Sequence, residues 1–100
     1  VVDLLFGVQE TAALADLAGH VLGPLERYDQ AHDGELVASL AAFLTHNGHW
    51  EAAAAQLGVH RHSLRHRVRK IEQLTDRSLD SAHDRTEFLL ALAARDLAEG

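Results

Sequence analysis

The sequence predicts an all-α fold, a compact helical bundle of about five to six helices that contains a helix-turn-helix. Apolar residues recur at three- and four-residue spacing, and no segment shows the alternation typical of a half-buried strand. The chain is rich in alanine and leucine and contains one proline, a composition that favours helices. Its 100 residues, 47% of them hydrophobic, suffice for one domain with a single core.

The first predicted helix lies in the N-terminal third of the chain. Residues 1–10 have a weak pattern, which predicts a linker remnant or a frayed helix, and the domain proper is expected over residues 11–100. From Thr11 one apolar stripe of helical spacing follows, formed by Leu14, Leu17, Ala18, Val21, Leu22 and Leu25. Gly23 and Pro24 interrupt this stripe. We expect Pro24 to open a second short helix, because a proline in the first turn loses no hydrogen bond.

Two further helices are predicted, one before and one after residues 50–74. One begins near Gly34 or Glu35 and ends around Asn47 and Gly48, a common helix-ending pair. Its expected buried residues are Leu36, Leu40, Phe43 and Leu44. The last helix holds four large apolar residues, Phe88, Leu89, Leu92 and Leu97. Acidic or capping groups precede it at Asp80, Ser81 and Asp84.

The helix-turn-helix is predicted at about residues 50–74. A short alanine-rich helix from Glu51 to Leu57 is followed by a tight turn, Gly58 to His60, and by a helix from Arg61 to about Leu74. Small residues such as Ala53 and Ala54 let two helices cross closely. Gly58 supplies the positive φ that so short a turn requires. These features together are typical of a motif that presents its second helix to a partner.

Charge is distributed unevenly along the chain. Lysine and arginine number 9 against 15 acidic residues, a formal charge of −6. Residues 52–71 nevertheless hold five basic residues and no acid: Arg61, Arg65, Arg67, Arg69 and Lys70. A positive patch on an acidic domain indicates a polyanionic partner at one place. A merely solvated basic helix face is the alternative that charge alone leaves open.

Helical phasing separates an inner and an outer side of the second helix. Leu64, Val68 and Ile71 share one side and are expected to anchor the helix to the core. The opposite side contains no acid and consists of His62, Arg65, His66, Arg69 and Gln73, with Arg61 and Arg67 on its flanks. A helix that enters the major groove of DNA needs this segregation, since arginines bind guanine edges and phosphates. The candidate DNA-binding residues are His60, Arg61, His62, Ser63, Arg65, His66, Arg67, Arg69 and Lys70.

Three segments, at 22–29, 52–75 and 79–92, resemble a known family in their order and content. They look like the C-terminal helix-turn-helix domain of PucR-type (purine-catabolism and sugar-diacid) bacterial transcriptional regulators, which is similar to the Fis-type motif. The resemblance implies sequence-specific binding of double-stranded operator DNA, with the recognition helix at 61–74 in the major groove. It also implies a sensor region N-terminal to this chain, a homo-oligomer (a dimer) in the full-length regulator, and a cytoplasmic, nucleoid-associated location.

The match to the family's recognition helix is carried by Val59, His60, Arg61, Leu64, Arg65, Arg67, Arg69, Ile71 and Glu72. Three positions in this helix depart from the family pattern, as does one position outside it. The family usually has Asn at His62, Thr at Ser63 and Tyr at His66, so the preferred DNA sequence is expected to differ from that of relatives. Trp50 stands where a smaller aliphatic residue is usual, which predicts a different packing at the start of the alanine-rich helix.

Other classes of function are disfavoured by the residues present. The absence of cysteine excludes disulfides, thiolate zinc sites and a cysteine nucleophile. The histidine pairs His62/His66 and His46/His49 lack supporting carboxylates and lie among cations, so neither a metal nor another cofactor is expected. Ser63 has no acid to orient a neighbouring imidazole, and no glycine-rich phosphate loop occurs, so no enzyme activity is expected.

One alternative remains open, a helical protein-interaction or dimerisation module in which the acidic first fifty residues bind. No run of roughly 18 apolar residues occurs, so no membrane partner is expected. Because the chain contains no methionine, we expect it to be a domain of a longer protein.

Overall fold

The computed structural model describes the backbone of residues 2–99 and the side chains of residue 13 and of residues 15–97. Over these residues the chain forms five helices and no strand: α1 (Val2–His32), α2 (Leu36–Thr45), α3 (Trp50–Leu57), α4 (Arg61–Thr75) and α5 (Ala82–Glu99). This confirms the predicted all-α class. None of the described helices has the length and hydropathy needed to cross a bilayer.

The predicted break at Gly23 and Pro24 is wrong, because α1 continues through both residues. A proline inside a helix removes a hydrogen bond and costs about 3 kcal/mol. Val21, Leu22 and Leu25, which flank it, are fully buried. Each such burial contributes roughly 1.5–3 kcal/mol, so packing of this turn offsets the cost of the proline.

The rest of the predicted stripe on α1 is described only in part. Leu17 and Ala18 pack against the core as half-buried residues, whereas the side chain of Leu14 lies outside the described residues. The stretch predicted as a linker remnant or frayed helix, 1–10, likewise has no described side chains. Its assignment therefore stays a prediction.

α2 is held at its start by a residue of α1. The Asp29 carboxylate accepts hydrogen bonds from the backbone N–H groups of Leu36 (2.9 Å) and Val37 (3.1 Å). This contact satisfies two of the free donors at the helix N-terminus. At the other end, the N–H of Gly48 donates to the carbonyl of Phe43 at 2.8 Å. The predicted helix between Glu35 and Asn47 is thus confirmed.

α5 packs along α1, and its buried residues, among those described, are one aromatic and two small side chains. Phe88, Ala91 and Ala94 are buried, whereas Leu89 and Leu97, two of the apolar residues that the sequence placed in this helix, are exposed. The helix is capped as predicted, since the Ser81 hydroxyl accepts a hydrogen bond from the N–H of Asp84 at 3.2 Å.

Candidate nucleic-acid interface

The turn between α3 and α4 spans residues 58–60 and is closed by two backbone hydrogen bonds. Gly58 donates to Ala55 at 3.2 Å and Val59 donates to Ala54 at 3.0 Å, the pattern of a Schellman motif. Gly58 has a φ of +69°, the left-handed conformation that glycine adopts without strain. Ala53 and Ala54 are buried at the crossing. The predicted helix-turn-helix is therefore confirmed in its local geometry.

The first turn of α4 is open to solvent and free of acidic residues. His60 caps it, because its Nδ1 accepts a hydrogen bond from the N–H of His62 at 3.2 Å. The two imidazole rings are stacked, with centroids 5.2 Å apart. Arg61 and Ser63 are exposed beside them. The helix dipole and the remaining free N–H groups make this end of α4 favourable for an anion.

The inner side of α4 is anchored in the core. Leu64 and Ile71 are fully buried and Val68 is 4% exposed, as the helical phasing predicts. These residues pack α4 against α1, α2 and α3. A helix anchored on one side holds the residues of its opposite side in a defined register, which any recognition surface requires.

The outer side of α4 is exposed along its length. Its members are His62, Arg65, His66, Arg69 and Gln73. Within the described part of the chain, no carboxylate forms an ion pair with Arg65, Arg69 or Lys70. The positive charge of these three residues is therefore available to a polyanion rather than cancelled locally.

The flanking cations have partners inside the domain. Arg67 donates from Nη1 to the Glu35 carboxylate at 3.3 Å and to the Ser39 hydroxyl at 3.1 Å. Arg61 lies 3.6 Å from the Glu51 carboxylate, and both of these side chains are well exposed. An exposed pair of this kind is worth little and can be exchanged for another anion. The half-buried Arg67 is more firmly held.

Trp50, at the start of α3, adds an aromatic surface next to the outer side of α4. The Arg65 Cζ lies 5.2 Å from the centroid of the Trp50 ring. That ring is tilted by 53° against Phe43, at a centroid distance of 4.7 Å. Trp50 is not among the residues that the sequence predicts to bind DNA. The signal that the sequence offered was a tryptophan where the family usually has a smaller aliphatic residue.

Among the described residues, one group has the spacing of metal ligands, but its members already have partners within the domain. Side-chain ligand atoms of His83, Asp84 and Glu87 lie within 4.8 Å of one another. However, the Arg77 guanidinium is 3.3 Å from Glu87, and the Asp84 carboxylate accepts the N–H of Ser78 at 2.9 Å. A neighbouring cation opposes metal binding. The His46 imidazole, for its part, is bonded to the Gln56 side chain at 2.6 Å.

Comparison with known proteins gives a family match over most of the chain. The model of the family described as the PucR C-terminal helix-turn-helix domain matches residues 36–94. An uncharacterized protein in the pkwA 5′ region of Thermomonospora curvata is 35% identical over 91 residues, which make up 91% of this chain and 50% of that protein. No solved structure matches the chain significantly.

Two similar proteins carry functional names. The transcriptional activator PmfR of Paenarthrobacter nicotinovorans is 39% identical over 56 residues, 56% of this chain and 12% of that protein. The DNA-binding transcriptional activator AdeR of Bacillus subtilis (strain 168) is 26% identical over 83 residues, 80% of this chain and 20% of that protein. The chain thus spans half or less of the length of the curated relatives that it matches.

Proposed function

This chain belongs to the PucR C-terminal helix-turn-helix family, and on that premise we propose that it binds double-stranded operator DNA sequence-specifically, as the C-terminal domain of a bacterial transcriptional regulator. The observation that carries the proposal is the outer side of α4, which is exposed, free of acid and opposite a buried anchor. The similarity to PmfR and AdeR, both named as transcriptional activators, supports a role in transcription.

In this proposal α4, the recognition helix, enters the major groove by its N-terminal half. His62, Ser63, Arg65 and His66 are the residues that reach base edges. Arg69 and Lys70, one turn farther along, bind phosphates where the helix leaves the groove. His60 and Arg61 approach a phosphate at the start of the helix. Arg67 contributes indirectly, because its hydrogen bonds to Glu35, which precedes α2, and to Ser39 in α2 orient α4.

The same premise supports four further proposals, on the bounds of the domain, the longer protein, cofactors and location. The DNA-binding domain comprises residues 11–100, and a sensor region precedes it in the longer, dimeric regulator. The domain needs no cofactor and catalyses no reaction, since recognition of DNA by a helix requires neither. If it binds operator DNA, the domain is located in the bacterial cytoplasm, at the nucleoid.

A protein-interaction module is the second candidate, because one observation favours it. Three leucines of α5 are exposed, Leu89 by 51%, Leu90 by 46% and Leu97 by 76%. A contiguous exposed apolar patch is typical of a surface that a partner covers, and Leu90 and Leu97, about two turns apart, lie on the same side of α5. A pure interaction module would not bind DNA, so the two functions are separable by experiment.

A mobility-shift titration with random-sequence duplex at low salt tests the proposal. We expect a shift that disappears as salt is raised, because phosphate contacts release counterions. Selection of bound duplexes from a random pool should then enrich a defined sequence. Absence of any shift at low salt would contradict DNA binding and favour the interaction module.

A further inference from the structure

Arg65 is restrained in the absence of DNA. Its guanidinium carbon lies 5.2 Å from the centre of the Trp50 ring, a distance at which the indole face attracts a cation. The ring also packs against that of Phe43, which is 6% exposed, at a centroid distance of 4.7 Å. A cleft of about 150 Å³, lined by Phe43, Trp50, Arg65 and Arg69 among others, adjoins the contact.

The neighbouring cations on α4, Lys70 and Arg69, have different partners from Arg65. Lys70 lies over the Tyr28 ring, 5.2 Å from its centroid, and is thereby drawn towards α1. For Arg69, no aromatic ring or carboxylate partner is found among the described residues. Arg65 is thus the arginine of the outer side whose side chain is ordered by a neighbouring element of the helix-turn-helix itself.

A guanidinium held against a ring can still recognise a base. Its five N–H donors point outward in the plane of the group, so that stacking uses the face and leaves the edge free. Two of those donors can bind the O6 and N7 atoms of a guanine. A side chain restrained beforehand also loses less conformational freedom on binding.

We propose that Trp50 is a positioning residue for DNA recognition, which restrains Arg65 so that it can read a guanine edge in the major groove. The inference rests on the proposed function of α4. It gives α3 a role in DNA sequence specificity that acts through Arg65 and does not require Trp50 to contact DNA. With the smaller aliphatic residue that is usual at this position, the support under Arg65 would be lost.

The test is a double-mutant cycle in the 100-residue chain. Two duplexes serve as probes, the one most enriched by selection from a random pool and a random-sequence duplex. Trp50→Leu should lower the ratio of selected to random affinity by about two- to tenfold, the range set by ordering one long side chain. Trp50→Phe, which keeps a ring, should retain part of the ratio. In an Arg65→Ala background, Trp50→Leu should leave the ratio unchanged.

Two results would overturn the inference. If Trp50→Leu lowers the ratio equally with and without Arg65, Trp50 acts independently of that residue. If it weakens the binding of both duplexes in parallel, its role is one of general stability or a phosphate contact. By contrast, an unmutated chain that binds neither duplex, or both equally, contradicts the proposed sequence-specific binding itself.

A measurement without DNA keeps the contact testable even if Trp50→Leu does not fold. Trp50 is the single tryptophan of the chain, so that its fluorescence reports on this site alone. Arg65→Gln should change the emission of the DNA-free protein, because it removes the cation above the ring. Lys70→Gln, on the same helix but over Tyr28, is the matched control and should not. Unchanged emission in Arg65→Gln would also overturn the inference.

Discussion

The Arg67 guanidinium lies 3.3 Å from the Glu35 carboxylate and thereby joins α4 to the residue that precedes α2. The same nitrogen donates to the hydroxyl of Ser39, which is fully buried. That hydroxyl in turn donates to the backbone carbonyl of Glu35 at 2.7 Å. Among the five basic residues of α4, Arg67 is therefore positioned by a hydrogen bond to a buried residue of the domain.

Arg67→Gln should destabilise the domain by about 1 kcal/mol, because it removes hydrogen bonds from a buried hydroxyl and from a carboxylate. Arg69→Gln is the matched control two positions away, with no such bonds, and should leave the free energy of unfolding nearly unchanged. Chemical denaturation of both variants measures the difference. Equal stabilities would show that the contact with α2 contributes nothing.

Arg65→Ala should weaken the binding of the selected duplex by ~1–3 kcal/mol and relax specificity at one base pair. The physical reason is the loss of two hydrogen bonds to one base edge. Binding of a random duplex should change less. Parallel losses for both duplexes would mean that Arg65 contacts phosphate alone and that the placement of α4 in the groove is wrong.

Lys70→Ala should weaken binding to all duplexes about equally, since a phosphate contact carries no sequence information. For the unmutated chain, about four neutralised phosphates predict a slope of log K against log salt of roughly −3 to −4. The variant's slope should be shallower by about 1. A salt titration of each protein gives both slopes. An unchanged slope would place Lys70 away from the DNA backbone.

DNA binding should tighten as the pH falls from about 8 to about 6, the range in which imidazole side chains ordinarily gain a proton. A nearby phosphate favours the charged imidazole, so binding takes up protons and strengthens at lower pH. A variant with His60→Gln, His62→Gln and His66→Gln should lose the dependence, whereas His20→Gln on α1 should retain it. Binding by the unmutated chain that does not change over this pH range would show that none of these three imidazoles faces DNA.

Leu64→Ala should destabilise the domain by ~2–5 kcal/mol, because it leaves a cavity beneath the recognition helix. Gln73→Ala, on the exposed side of the same helix, should change stability little. Thermal unfolding of the two variants compares the inner and outer sides of α4. If both unfold like the unmutated chain, α4 is not anchored through Leu64.

The sequence predicted those features whose causes are local. The helix bounds around Gly48, Gly58 and Ser81 follow from turn and cap residues, which act within a few positions of themselves. The inner and outer sides of α4 follow from helical periodicity alone. Neither inference requires knowledge of the elements that pack against these helices.

Prediction failed where a distant element decided the outcome. The sequence signalled a helix break at Pro24, yet burial of the surrounding turn keeps α1 continuous. The Asp29 cap on α2 and the Arg67–Glu35 pair join residues that no local pattern connects.

By itself, then, the sequence determined that α4 is an amphipathic helix with an acid-free outer side, because side-chain spacing within one helix sets which residues share a side. The tertiary structure decided how the cations of α4 differ: Arg67 is hydrogen-bonded to Ser39 of α2, Lys70 lies over Tyr28, and Arg65 lies over Trp50. These contacts depend on the crossing of α4 with α1, α2 and α3. Helix crossings are set by packing of the whole core, which the residues of α4 alone do not encode.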